Sequence, residues 1–307
     1  MGRYASSKLA AVRWGARRSA VAIGAAALAV SVTPATAAGA GRGKRTIDVR
    51  PGPNAIANAL DRAEDGQVLR IHKGTYEEAV TIEKRVKLVG VGKRRPVIDA
   101  GCATPTTVTV LADSVRLRRL KVVGADTADE VAFAEVSGGR ANNVVVRDTC
   151  DALYGINVYD TGSIEIRRSR ALGFDDAGFY IGEIGSTGSG AIRLRGSQSH
   201  QNHRGLIVEN SSGASIRVVG NQFHANTVPV GFSPPTGVSI NNSDGVLVQG
   251  NTMNANGMFG LHIGPGSDGN VIERNSLFGN PVDIENQGSG NCGSGNEFTT
   301  GDALPPC

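Results

Sequence analysis

Asp175-Asp176 and His203-Arg204 stand just ahead of two glycine-initiated segments, and counting back from Gly178 and Gly205 puts Asp176 and His203 in matching places. If those segments stack, the side chains fall roughly 5 Å apart, the spacing of neighbouring strands. A carboxylate, an imidazole and a guanidinium gathered there suit an acidic substrate. The guanidinium fork takes a carboxylate, while His203 or the phenol of Tyr180 moves a proton beside it. Asp175, Asp176, Tyr180, His203 and Arg204 are therefore the expected catalytic set. Asp151, Asp175, Asp176 and Glu183 also offer hard oxygen donors for Ca²⁺, the one cofactor the residue types suggest. The bland account of the same residues is an Asx-turn pair at a β-corner beside an exposed histidine. His200, His203 and His224 lack a supporting Met or Cys cluster, which argues against a transition metal. Gly90-Val91-Gly92-Lys93 is followed by Arg94 where a phosphate loop needs Ser or Thr, and reads as a turn.

Positioning such a cluster requires a regular scaffold, and the chain has a period. Segments of the form Gly-apolar-x-apolar begin at Gly155, Gly178, Gly205, Gly237 and Gly260, at steps of 23, 27, 32 and 23 residues. Between them run alternating pairs such as Ile164/Ile166, Ile192/Leu194 and Ile216/Val218, and period-two alternation puts each pair on one buried face. Small polar residues follow in register (Thr149, Ser169, Ser197, Asn221, Asn251, Asn275), with Asn202, Asn226, Asn256 and Asn280 five positions further on in the later repeats. An inward Asn has both a donor and an acceptor for turn backbone that would otherwise be buried unpaired. Glycine at 42 residues with only 5% aromatics fits short strands and turns. The expected fold is an all-β parallel β-helix of about 9–10 coils, each burying its face against its neighbours.

Both ends of this rod need covers. Ile56, Ala59, Leu60 and Ala63 recur at helical spacing, predicting an amphipathic cap helix over about 53–64, and residues 288–307 read as a C-terminal cap. The four cysteines, Cys102, Cys150, Cys292 and Cys307, allow three pairings. Cys102 with Cys150 and Cys292 with Cys307 is favoured, because the latter closes the tail. Ahead of the solenoid, Arg3, Lys8, Arg13, Arg17 and Arg18 precede an apolar run over 20–32 and then Ala35-Thr36-Ala37. That is the make-up of an export leader, 1–37, with Arg17-Arg18 leaving the twin-arginine route open beside the general one. A Gly/basic linker, 38–46, leads into a single domain, 47–307.

Loss of the leader removes five positive charges and takes the formal +4 to −1. That removes the electrostatic basis for a nucleic-acid partner. Residues 38–121 hold 17 Lys/Arg against 9 Asp/Glu, and 122–307 hold 10 against 19. No later apolar run approaches the ~20 residues of a membrane span, and nothing in the pattern specifies an oligomer.

The stretch from Val49-Arg50-Pro51-Gly52 to Ala63, then Lys73-Gly74-Thr75-Tyr76-Glu77-Glu78 and Leu88-Val89-Gly90-Val91-Gly92, followed by the glycine-initiated coils, resembles secreted right-handed parallel β-helix proteins of the pectin-lyase-like superfamily. The resemblance covers nearly all of 47–307. It implies that the glycine-initiated strands floor a substrate groove walled by loops. On that geometry Asp151, Tyr154, Asn157, Tyr159, Glu183, Glu209 and His262 are the expected substrate-binding residues, and a polysaccharide is the expected partner. The two long steps, near 185–190 and 228–235, would supply walls. Polysaccharide lyase or uronate epimerase activity is the finer expectation, with glycoside hydrolysis behind them. The motifs of polygalacturonases are absent, however. An epimerase-like Gly-Phe-Asp-Pro-His is matched only at Gly173-Phe174-Asp175, and no Lys follows Lys121 to serve as a lyase base. The alternative is a non-enzymatic extracellular solenoid that contacts other proteins, which the scarcity of groove aromatics favours.

Overall fold

The structure, a computed structural model, describes residues 46–185, 190–228 and 233–307. The expected leader and all of the expected linker except Thr46 lie outside the described residues, as do parts of the two long loops. Thr46 opens the first strand, Thr46–Val49.

The period-two segments form three parallel sheets, one strand from each per coil. Sheet A stacks eleven strands from Thr46–Val49 to Cys292–Ser294, sheet B eight from Thr75–Glu77 to Thr252–Asn254, and sheet C nine from Val80–Ile82 to Val282–Asn286. The chain is thus a parallel β-solenoid, and equivalent residues of successive coils become neighbours. Leu88, Leu117, Ala141, Ile166, Leu194 and Val218 form one inward column of sheet A, and Ile156, Phe179, Leu206, Val238 and Leu261 one of sheet C; all are fully buried. Burial of each large aliphatic side chain contributes about 1.5–3 kcal/mol.

The asparagines hold the turns. Asn251 Oδ1 accepts from the backbone N–H of Asn221 at 2.9 Å and from its Nδ2 at 3.0 Å, while Asn251 Nδ2 donates to Val218 O at 2.8 Å and to Asn275 Oδ1 at 3.0 Å. Ser197 and Ser169 continue this column toward the N-terminus, and Val144 stands at its next position. Thr149, expected in that column, is instead exposed beside Cys150. The glycine column belongs to the same unit. A Cβ on Gly205, Gly237 or Gly260 would collide with the amide nitrogen of Asn226, Asn256 or Asn280 at 2.8–2.9 Å, so the ladder leaves room only for hydrogen.

The cap helix spans Ala55–Arg62 and buries Ile56, Ala59 and Leu60. Glu78 accepts from the N–H groups of Ile56 and Ala57 at 2.8 and 3.0 Å, and Lys84 Nζ donates to the carbonyls of Leu60 and Asp61 at the other end, so each charge faces the helix pole it stabilises. Cys102 is bonded to Cys150, and Cys292 to Cys307, the latter closing the C-terminal tail.

Asn251→Ala strips all the side-chain bonds named above inside a dry stack. It is expected to lower unfolding free energy by about 2–4 kcal/mol in urea denaturation. A loss below about 1 kcal/mol, the net worth of one ordinary hydrogen bond, would mean the stack is not a stabilising element.

Candidate functional site

The outer face of sheet C carries three side-chain columns that climb ~4.8 Å per coil. Register aligns Asp129, Tyr154, Ala177, Arg204, Thr236 and Phe259 in the first, and Asn157, Tyr180, Ile207, Ser239, His262 and Glu285 in the second. Tyr159, Gly182, Glu209 and Asn241 make the third.

The floor holds two polar groups joined by a ring contact. Arg204 donates through Nε to Asp176 Oδ1 at 3.1 Å and through Nη2 to the same oxygen, while Tyr154 OH donates to Asp176 Oδ2 at 3.0 Å. The Tyr154 ring packs against Tyr180 with centroids 4.6 Å apart and planes tilted by 39°, and Tyr180 OH donates to Glu209 Oε2 at 3.0 Å. Gly182 makes space for the Tyr180 ring, which a Cβ there would strike. Burial first, and then Asp176 beside Tyr154 and Glu209 beside Tyr180, pushes both phenols far above their ordinary range. Both therefore stay protonated and serve as donors.

The expected catalytic set is only partly assembled. Asp176, Arg204 and Tyr180 share the floor with Tyr154. His203 is 1% exposed and turned to other partners: Nδ1 lies 2.6 Å from Val228 O and Nε2 2.7 Å from Ser233 Oγ. A carbonyl only accepts, so Nδ1 carries the proton and Nε2 accepts from the serine. Burial lowers the pKa of His203, so it is a neutral pin between the two described ends of the second long loop. Asp175 sits at the corner with Asp148 and exposed Asp151; burial, then those carboxylates, raises its pKa. Glu183 lies beyond the far end of the strand Ala177–Gly182, where Asn210 Nδ2 donates to it at 2.8 Å. The Ca²⁺ set expected from Asp151, Asp175, Asp176 and Glu183 is thereby corrected. A whole strand separates Asp176 from Glu183, and among the described residues no three His, Cys, Asp or Glu side chains converge as metal ligands.

Toward the C-terminal coils His262 stands between Ser239 Oγ and Glu285 Oε2, each 3.4 Å from a ring nitrogen, and stacks on Phe259. Burial lowers its pKa. Tyr159 is 43% exposed at the groove edge. Beside it, Glu183, Asn210, Ser212 and Asn242 line a cavity of about 370 Å³.

Sequence reasoning missed Asp129. It is 8% exposed, accepts from Asn157 Nδ2 at 3.1 Å, and is pushed up to about 7 by burial. Asn157 Oδ1 beside it is buried with no hydrogen-bond partner. Fully buried Glu130, bonded to Thr107 Oγ1 at 2.9 Å, is likewise raised to about 7 by burial. Aligning Asp129-Glu130-Val131-Ala132-Phe133 with Tyr154-Gly155-Ile156-Asn157-Val158 would have found both; the glycine that marks later coils is Glu130 in this one.

These two acids couple the fold to pH. The folded chain keeps their protons up to about pH 7, whereas unfolded carboxyls release them near pH 4. Between those values the folded state binds more protons, so their stabilising contribution is complete below about pH 4 and is lost as pH rises through 7. Thermal melts are expected to show a lower Tm at pH 8 than at pH 5, and Asp129→Asn should shrink that difference. An Asp129→Asn variant with the same pH dependence as the parent would remove Asp129 from this role.

A family model described as periplasmic copper-binding protein (NosD) matches residues 121–303. Among solved structures, a crystal structure of pectate lyase Pel9A aligns with a TM-score of 0.64 at 12% identity, covering 86% of this chain and 81% of that one. A rhamnogalacturonan lyase aligns with a TM-score of 0.58 at 12% identity, covering 79% and 74%. Both likenesses are of fold. No curated protein matches.

Proposed function

The chain belongs to the NosD family, and from that premise we propose an exported protein that binds a polysaccharide along the outer face of sheet C. The observation that carries this reading is the tilted Tyr154–Tyr180 ring pair, whose hydroxyls bond to Asp176 and Glu209. It sets the partly exposed edge of Tyr154 amid fixed polar groups on neighbouring coils, a surface on which an extended sugar chain finds both a ring and hydrogen-bond partners. Exposed Tyr159 adds a ring on which a sugar can stack at the groove edge. Two disulfides and the leader-like N-terminus support a destination outside the cytosol.

Lyase or epimerase chemistry is the second reading, and two groups favour it. Proton abstraction needs a base that is unprotonated near neutral pH. The phenols are held protonated and both nitrogens of His203 are engaged, whereas Asp129, raised to about 7 by burial, and neutral His262 have the character of such a base. Release of unsaturated ends from polyuronates, followed by absorbance, would establish the lyase, and exchange of a ring proton with solvent, followed by NMR, the epimerase; either should be abolished by Asp129→Asn or His262→Gln.

Copper, named in the family's description, does not fit the residues present. All four cysteines are in disulfides, Met253 is wholly buried, Met258 is the one exposed methionine among the described residues, and no three His, Cys, Asp or Glu side chains converge among those residues. His200 and His224 stack face to face at 5.0 Å with planes 8° apart, so their nitrogens point side by side rather than toward a shared ion. No step is derived through copper.

Binding to arrays of linear polysaccharides tests the main reading. One glycan is expected to bind, and Tyr159→Ala should weaken it at least about tenfold, the loss of a stacking contact of ~1.4 kcal/mol. Absence of any glycan ligand, or unchanged affinity in the variant, would favour the non-enzymatic interaction solenoid instead.

A further inference from the structure

Sheet A carries a surface of opposite character. Register places Lys87, Arg116, Arg140, Glu165, Arg193 and Arg217 in one outward column over six successive strands. The next outward column holds Arg118, Asn142, Arg167 and Arg195. Glu165 alone supplies negative charge, and Arg140 Nε at 2.6 Å and Arg195 Nη2 at 2.8 Å already hold it. Among the described residues no carboxylate pairs with Arg116, Arg118, Arg167, Arg193 or Arg217.

Like charges stacked at ~4.8 Å repel, and an outward strand face needs only polarity, not a row of arginines. Arg167 sharpens the point. Its Nε is buried with no hydrogen-bond partner, and with Arg168, Arg195, Gly196, Val219 and Gly220 it lines a cavity of about 320 Å³ at the edge of the sheet. Space beside Gly196 and Gly220 is open. A buried guanidinium N–H without an acceptor, facing two further arginines across a cavity, is a preformed place for an anion.

We propose that this face of sheet A binds a linear acidic polysaccharide, laid along the solenoid axis with its carboxylates on the arginines that Glu165 does not hold and one carboxylate seated at Arg167. An extended (1→4)-linked uronate chain advances by about the step of the coils, and each guanidinium fork matches a carboxylate. Nucleic acid fits less well. Its charges recur every ~3.4 Å per strand of a duplex, and single strands are held by stacking on aromatic side chains. The strands of sheet A contain no aromatic residue. Sheet C has one outward arginine in this stretch, Arg204, and Asp176 occupies it.

The test uses the full chain, polygalacturonate and alginate oligomers as probes, and the triple variant Arg116→Gln, Arg193→Gln, Arg217→Gln, whose exposed positions leave the core untouched. Polygalacturonate or alginate is expected to bind with an affinity that falls as salt rises. The variant should bind at least about tenfold more weakly, since each lost charge-assisted bond is worth ~1.5–3 kcal/mol, with an unchanged melting curve. Arg167→Lys, which keeps the charge but loses the fork, should weaken binding by a smaller factor. No binding at low salt, a triple variant as tight as the parent, or tighter binding of duplex DNA than of either uronate would overturn the proposal. A glycan held on sheet C loses affinity through Tyr159→Ala and not through this variant, so failure of one reading is distinguishable from failure of the other.

Discussion

A solenoid stands or falls on the peptide groups at its corners. Strands pair with the coils above and below, but the chain must also turn between sheets, and an inward turn buries N–H and C=O groups that no strand can satisfy. The asparagine stacks meet that need by linking backbone and amide groups from coil to coil, as the Asn221–Asn251–Asn275 bonds show. They also dictate glycine at the start of the sheet C strands, since an amide nitrogen occupies the space of a Cβ. Corner chemistry therefore sets where each sheet C strand begins, and with it which side chains become neighbours on the outer face.

This coupling explains how much could be read from the chain. Glycine and asparagine spacing is a local signal with one three-dimensional solution, so the solenoid, its buried columns and the meeting of Asp176 with Arg204 were legible. The direction of His203 was not: its partners Val228 and Ser233 lie in an irregular loop whose path carries no period. Asp129 escaped because its coil has Glu130 in the glycine position. Charge misled in a different way. A net value near zero describes the total, while a period-two strand sorts side chains to opposite faces and a parallel register gathers like residues, so arginines collected on the outer face of sheet A.

The sheet C floor is constructed for rigidity rather than for exchange. Arg204, Asp176 and Tyr154 satisfy one another, and Tyr180, packed against Tyr154, bonds to Glu209 on the next coil. Such a network fixes rotamers before any ligand arrives, which lowers the ordering cost of binding. Asp129, raised to about 7 by burial, and His262, whose pKa burial lowers, stand toward opposite ends of it.

The side-chain amide stack has one more consequence. Because the asparagine-bearing coils make the same bonds upward and downward, one of them can be gained or lost by duplication or deletion without altering the corners on either side. The end covers need only the last coil they touch. The height of the sheets is then set in whole-coil increments, and relatives with more or fewer such coils would differ in length while keeping the same corners at each step.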